Sequence, residues 1–324
     1  MNNQIKNALL KGRLVILLGA GASFNAKNFH GRNPPLGGEL AELIARECGI
    51  NFESTDDLAD TYAAGIQQLG SQGIYNLLKS HYKNCSAAPE YVELLRYPIA
   101  RIYTFNIDDS FEKASILNGS KQVNVFRRND RIVDCDPLFI RTDLIKLNGD
   151  INVPDDGFIF SQAEYGEGST SEPLWYQELA RDFYRFNFVF IGTKIKEPLF
   201  NHQIQKYKKR TLDQQTKSYV IVPSMSSAQE NALNGSNIEF IQGTLKDFTD
   251  WLRVEFPTPP SPLDIIKNIR PDASFVMTGT KENHILSNVT AVSRASITIV
   301  DEDKDKGSIK SFYKGFKPTW SDIL

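Results

Sequence analysis

Cysteine is scarce in this 324-residue chain: Cys48, Cys85 and Cys135 lie far apart, and no Cys-x-x-Cys pair occurs. That excludes a disulfide framework and a structural zinc module, whose ligands come at close spacing, and it fits a reducing cytoplasm. Histidine is rare too, with 4 scattered residues offering no tetrahedral set. Long apolar runs are missing, so nothing is long enough to cross a bilayer. The opening "MNNQIKNALLKGRL" is too short and polar for a secretory leader. Charge of one sign is also lacking, since 37 Lys and Arg face 39 Asp and Glu. No bulk positive field recommends nucleic acid as a partner. The expectation is a cytoplasmic protein without metal, membrane contact or direct nucleic-acid binding.

What is present is an ordinary globular balance, 41% hydrophobic and 23% charged residues, in a chain long enough to bury a core. Short apolar runs recur at Leu14–Leu18, Arg101–Phe105, Leu144–Leu147, Phe158–Phe160, Phe188–Ile191, Tyr219–Val222 and Ile238–Ile241. Runs without alternation read as strands covered on both faces. Helical spacing lies between several of them. Leu40, Leu43 and Ile44 mark one face after "PPLGG", and Trp175, Leu179 and Phe183 step by four after Ser171, a candidate N-cap with Pro173 in the first turn. Strands alternating with helices predict an α/β fold, a doubly wound Rossmann-like parallel sheet. Residues 25–99 are mostly helical and longer than a crossover needs, which predicts a helical insert serving as a layer or lid. The stiff segment Pro257–Pro262, "PTPPSP", divides a main domain of residues 1–256 from an extension of residues 257–324. That small C-terminal appendage holds two strand candidates, Ser274–Met277 and Ser296–Val300, and ends in "FYKGFKPTWSDIL". Its Phe312, Phe316 and Trp320 suggest an interface, and a chain that continues into a further module.

The sharpest local signal is "RLVILLGAGASF", Arg13–Phe24, an apolar run ending in Gly19, Ala20, Gly21, Ala22 and Ser23. Glycine after a strand marks a tight turn or a close approach to a ligand, and a helix start beyond it attracts phosphate. The dinucleotide fingerprint G-x-G-x-x-G fails at its third glycine, where Phe24 stands, and no Walker loop fits. A tight turn without ligand is the competing reading. Three further strand ends carry polar residues: Thr104, Asn106, Asp108 and Asp109 in "YTFNIDDSF", Asn148, Gly149 and Asp150 in "LIKLNGDIN", and Gly192 and Thr193 in "FVFIGTKIKEP". Each alone is ordinary strand-end turn chemistry. Together, after parallel strands, they converge on one crevice beyond the carboxyl ends of the sheet.

In order and spacing these four motifs resemble the sirtuin superfamily, whose members carry G-A-G-x-S, T-Q-N-I-D, H-G-D and G-T-S. The counterparts here are Gly19–Ser23, Thr104–Asp108, Asn148–Asp150 and Gly192–Lys194. The resemblance implies that Ala20, Gly21 and Ser23 line the pyrophosphate of NAD, that Asn106 and Asp108 face the nicotinamide and its ribose, and that Gly192 and Thr193 contact the adenosine half. Three departures stand out. The four-cysteine zinc module and the P-D-F-R segment are absent, Phe105 replaces the usual Gln, and Asn148 occupies the place of the catalytic His. Together with the helical insert, the first of these resembles the sirtuin-like NAD hydrolases of bacterial antiphage defence.

That resemblance implies NAD+ as substrate rather than prosthetic group, no zinc, a homo-oligomer, and an NTPase or sensor module in cis or in trans. Cleavage at the nicotinamide bond releases a neutral leaving group and needs no general acid, only a held ribose, a nearby negative dipole and a positioned water. Asn106, Asp108 and Asn148 are the candidates for that work. Gly19, Ala20, Gly21, Ala22, Ser23, Thr104, Asp150, Gly192 and Thr193 are the candidates for binding. For the carboxylates, capping of loop N–H groups is the alternative. An amide at 148 does not titrate near neutrality, which leaves His30 or His202 as sources of an imidazole. A non-catalytic NAD or ADP-ribose sensor and, less favoured, a protein deacylase are the rival functions.

Overall fold

A computed structural model describes residues 1–53, 55–118, 121–136, 139, 141–171, 173–209, 215–269, 275–276 and 297–298. Phe312, Phe316 and Trp320 lie outside the described residues. The two C-terminal strand candidates are described only at Phe275–Val276 and Ile297–Thr298, which pair in parallel.

The chain opens with α1 (Asn3–Leu10) and enters β1 (Leu14–Leu18). The insert then supplies α2 (Gly37–Glu47), α3 (Leu58–Tyr82) and α4 (Pro89–Leu94). Next come β2 (Arg101–Thr104), α5 (Ser110–Asn118), β3 (Gln122–Arg127), β4 (Arg141–Lys146), α6 (Gln162–Ser171) and α7 (Leu174–Arg185). The second half runs β5 (Asn187–Ile191), α8 (Pro198–Lys208), β6 (Ser218–Val222), α9 (Ser227–Asn234), β7 (Ile238–Gln242), α10 (Leu245–Glu255) and α11 (Pro262–Ile269). The seven strands form one parallel sheet in the order β3-β4-β2-β1-β5-β6-β7. The expected doubly wound α/β architecture is the observed one.

Strand β1 shows why the central runs do not alternate. Leu14, Ile16 and Leu18 belong to one buried cluster with Ile5, Leu9, Tyr91, Leu94, Phe248 and Leu252 of α1, α4 and α10. Val15 and Leu17 face a second cluster with Trp175, Leu179, Phe183, Leu199 and Phe200 of α7 and α8. Every residue of the strand is buried because each face has its own helical layer. Complete burial of each such side chain is worth about 1.5–3 kcal/mol.

Three expectations are corrected. Phe158–Phe160 is not a strand: Ile159 N donates to Asn148 O at 3.0 Å and Phe158 stacks on Phe160, so this apolar run folds back over the loop after β4 instead of joining the ladder. The sheet gains β3, "QVNVFR", whose half-buried edge position leaves it too polar to stand out as an apolar run. Ser171 ends α6 rather than capping α7, because Pro173 sits at the entry to the next helix.

The insert is helical, as expected. Its Leu40, Ile44, Tyr62, Ile74 and Leu78 pack with Ile107, Ile151 and Phe158 in a third cluster beyond the carboxyl ends of β2 and β4. α3 breaks at Gly70, φ 68°, so it is two helical pieces rather than one rod. Gly65 lets α2 and the second piece approach, since a methyl there would stand 2.7 Å from both Ile44 and Ile74. α11 comes after the "PTPPSP" segment and packs against α1, with Asn268 donating to Leu10 O at 3.2 Å.

Candidate active site

The order in which strands are added reverses at β1. β2 is laid down on one side of it and β5 on the other, which makes the β1/β5 pair the topological switch point. One row of register partners, Lys146–Thr104–Leu18–Ile191–Ile221, closes five strands at one level. The loops leaving this row therefore begin side by side, and this is how four distant motifs come to share a crevice.

The loops after β1 and β5 interlock. Gly19 N donates to Ile191 O at 2.9 Å and Gly21 N to Gly192 O at 3.1 Å. A methyl at Gly19 would stand 2.5 Å from Thr193 Cβ and 2.7 Å from Gly192 O. Gly192 adopts φ 71° and has no room for a side chain against Gly21. The glycines are thus demanded by loop-to-loop approach, apart from any ligand. The helix expected after this loop is a single 3-10 turn, Ala20–Ser23.

Two cavities open above these loops and share Ala20, Gly37, Gly192 and Thr193. The larger, about 630 Å³, lies over β1, β5, β6 and β7 and is bounded by Gly21, Ala22, Val222, Ser224, Gly243 and Thr244 among others. The smaller, about 240 Å³, lies over β1, β2 and β4 beneath Leu40, Leu58 and Tyr82 of the insert. Gly19, Ser23, Phe105, Asn106, Asp108, Asn148 and Glu197 face it.

The polar groups of the smaller cavity are tied to one another. Asn106 Nδ2 donates to Gly19 O and Ser23 Oγ, both at 3.0 Å, while its own N–H is held by Thr104 Oγ1 at 2.9 Å. Ser23 Oγ donates to Asp108 Oδ2 at 2.8 Å and lies 2.8 Å from the Tyr91 hydroxyl. Burial pushes the Asp108 carboxyl above its ordinary value, opposed by Lys146 and by the Ser23 bond. Behind it, fully buried Lys146 donates to Asp108 O at 2.7 Å, Glu112 at 2.8 Å and Asp150 at 3.1 Å.

On the opposite wall the Tyr176 hydroxyl donates to Asn148 Oδ1 at 2.5 Å, and Asn148 Nδ2 donates to Glu197 Oε1 at 3.2 Å. Tyr165 also hydrogen-bonds the Glu197 carboxyl, which burial pushes up to about 7. Glu197 stands at the N-cap of α8 yet accepts nothing from that helix's own N–H groups. In sequence it reads as one more charge in "KIKEP"; its only local signal is the entry into a helix. Tyr165 and Tyr176 carried no sequence signal at all.

The structure brings Gly19, Ala20, Gly21, Ala22, Ser23, Asn106, Asp108, Asn148, Gly192 and Thr193 to the two cavities. Thr104 and Asp150 are not among the residues that line them. Thr104 closes the end of β2, and Asp150 accepts from Lys146, from Arg127 at 3.1 Å and from Asn152 N at 3.0 Å, which hold its carboxyl below the ordinary value. His30 and His202 are exposed and line neither cavity. Among the described residues no cluster of His, Cys, Asp and Glu is placed to hold a metal ion.

No curated protein matches the chain. Among solved structures, two mutants of Sir2 homologues in complex with ADP-ribose each align with 12% identity over 81% of this chain and 100% of theirs, at TM-scores of 0.42 and 0.43. A Sir2 homolog–NAD complex aligns at 12% identity and a TM-score of 0.36, over 79% of this chain and 93% of its own. Residues 100–241, from the threshold of β2 into β7, match the family model of the SIR2-like domain, and this matched span includes Asn106, Asp108, Asn148, Gly192 and Glu197.

Proposed function

We propose that the protein hydrolyses NAD+ at the nicotinamide–ribose bond, giving nicotinamide and ADP-ribose. The observation that carries this reading is the pairing of cavities at the switch point: a large one, lined by glycine and aliphatic groups with Glu90, Lys194 and Lys246 among them, adjoins a smaller one that holds Asn106, Asp108, Asn148 and Glu197, across Ala20, Gly37, Gly192 and Thr193. A dinucleotide has that division. In this reading Gly192 and Thr193 meet the adenosine half, Ala20, Gly21 and Ser23 line the pyrophosphate, and Asn106 and Asp108 face the nicotinamide ribose. The Asn106 amide, fixed by Gly19 O and Ser23 Oγ, keeps its carbonyl oxygen for a ribose hydroxyl or a water. Asp108 supplies negative charge near the developing oxocarbenium ion.

Residues 1–256 form the NAD-binding unit in this proposal, residues 25–99 cover the reacting end, and residues 257–324 extend towards another module. The resemblance supports a role as an antiphage effector that depletes NAD+, acting as a homo-oligomer with an NTPase or sensor partner. A second reading, an NAD or ADP-ribose sensor, is favoured by one observation, the untitratable Asn148 in a position where sirtuins carry His. Incubation of the purified protein with NAD+ and quantification of nicotinamide separates the two. Stoichiometric nicotinamide and ADP-ribose support hydrolysis. Saturable NAD+ binding without product overturns it in favour of the sensor, and turnover only with an acyl-peptide substrate overturns it in favour of a deacylase.

A further inference from the structure

Asn148 does not work alone. Its amide is clamped between a phenol and a carboxyl, with Tyr176 donating to its oxygen and its nitrogen donating to Glu197. A carboxylate can only accept and this phenol donates, so the amide's orientation is fixed by its partners. The Glu197 carboxyl is delivered from the loop after β5, 49 residues away in sequence. That loop is strained: beyond Gly192, buried Ile195 is held at φ 57°, a left-handed region that a β-branched residue rarely adopts. A helix N-cap carboxylate normally binds its own helix's N–H groups. Here the Glu197 carboxyl makes no such cap bond and faces the smaller cavity instead.

Resting on the NAD+-hydrolysis reading, we infer that Glu197 is the catalytic base of this site, taking the proton of the attacking water in place of the missing histidine. As the N-glycosidic bond breaks, its electron pair goes to the nicotinamide nitrogen and discharges the pyridinium. The water oxygen bonds to the ribose C1′, its O–H bond breaks, and the proton passes to the Glu197 carboxylate and then to solvent. The balance is NAD+ and water in, and nicotinamide, ADP-ribose and one proton out. Asn148 is then a positioning residue. It holds the carboxylate through its Nδ2 and is itself held by Tyr176.

The electrostatic surroundings suit a base working near neutrality. The groups facing Glu197 are the phenols Tyr165 of α6 and Tyr176 of α7, with Asp108 and Tyr82 lining the same cavity. The lysines of its own loop, Lys194 and Lys196, are exposed. Enclosure without a cationic partner raises the carboxyl to about 7, where proton acceptance and driving force are best matched.

The test compares wild type, Glu197→Gln and Glu197→Asp in nicotinamide release from pH 5 to 9, with NAD+ affinity by calorimetry and folding by circular dichroism. In wild type kcat should rise with pH through about 7, because the base works only when deprotonated. Glu197→Gln should lose roughly 10²–10⁴-fold in kcat and the pH limb, with NAD+ affinity within about threefold. Glu197→Asp should keep part of the rate and the limb. Azide, a nucleophile that needs no deprotonation, should restore Glu197→Gln by forming the azido-sugar. Wild-type turnover in folded Glu197→Gln, a retained limb, or no response to azide would each overturn the base while leaving NAD+ hydrolysis standing. No nicotinamide from wild type at any pH would remove the hydrolysis reading, and the base with it.

Discussion

The two cavities at the switch point are built by opposite means. The larger is shaped mostly by backbone, by glycines at 21, 192 and 243 at the ends of parallel strands, with Glu90, Lys194 and Lys246 as its titrating groups. The smaller is walled by side chains, each fixed by another: Asn106 by Ser23 and Gly19, Asp108 by Ser23, Asn148 by Tyr176 and Glu197. A surface of backbone and aliphatic groups binds by shape, and its contacts differ little between ground and transition states. Charge develops only where fixed dipoles and a carboxyl are ready for it. In the proposed reading binding and chemistry separate along the crevice, and substitutions at the two ends should fail in different ways.

The largest effect should come from removing the support of the polar end. Lys146→Met leaves Glu112 and Asp150 facing each other without the buried ammonium that joins them. Loss of one partner from a buried ionic cluster costs about 3–5 kcal/mol. Urea denaturation should show that fall. A variant as stable as wild type would mean that the cluster is not part of what holds the loop after β4.

Asn106→Ala comes next. Deleting the amide removes a ribose or water contact and unties Gly19 O from Ser23 Oγ. Nicotinamide release should fall about 10²–10³-fold, the size of effect seen when one fixed hydrogen-bonding group is taken from a polar site. NAD+ binding and the melting transition should largely survive. Unchanged turnover would remove Asn106 from the reacting end.

Asn148→His sharpens the contrast within the polar wall. The side chain is buried between a phenol 2.5 Å away and a carboxyl 3.2 Å away, so an imidazole cannot enter without displacing one of them. Misplacing a reacting group by about 1 Å can cost roughly 10²-fold, so activity should fall by about 10–100-fold rather than rise. A gain in turnover, with a new histidine-like pH dependence, would show that the position is a decayed base after all.

Ser224→Trp is the mildest and probes the other end. Ser224 is exposed on the rim of the larger cavity, and an indole there would occupy adenosine space in the proposed pose. KM for NAD+ should rise about tenfold with kcat nearly unchanged, the signature of lost uniform binding. A fall in kcat at constant KM would break the division between the two ends.

Much of this arrangement was legible in the order of residues. Leu14–Leu18 and Phe188–Ile191 are continuous apolar runs because both faces of a central strand are covered, and that pattern survives without knowledge of the partner. Glycine and asparagine at strand ends announce loops that turn hard beyond the sheet. The edge strand Gln122–Arg127 was not legible, since a half-buried strand needs only weak apolar character. Phe158–Phe160 misled for the converse reason: buried apolar residues look alike whether they join a ladder or roof a loop.

By itself the sequence determined the α/β class, the central strands, the helical insert and the set of loops that could meet, because periodicity and turn chemistry are local. Only the tertiary structure decided which residues of those loops face the crevice. Asp150 and Thr104 sit in the right motifs, yet one is spent on Lys146 and Arg127 and the other on the end of β2. Glu197, which reads as a surface charge before a proline, is brought against Asn148 by the β5 loop and raised by enclosure. Such roles depend on neighbours far along the chain and on the water they exclude, and neither is written in any short stretch of residues.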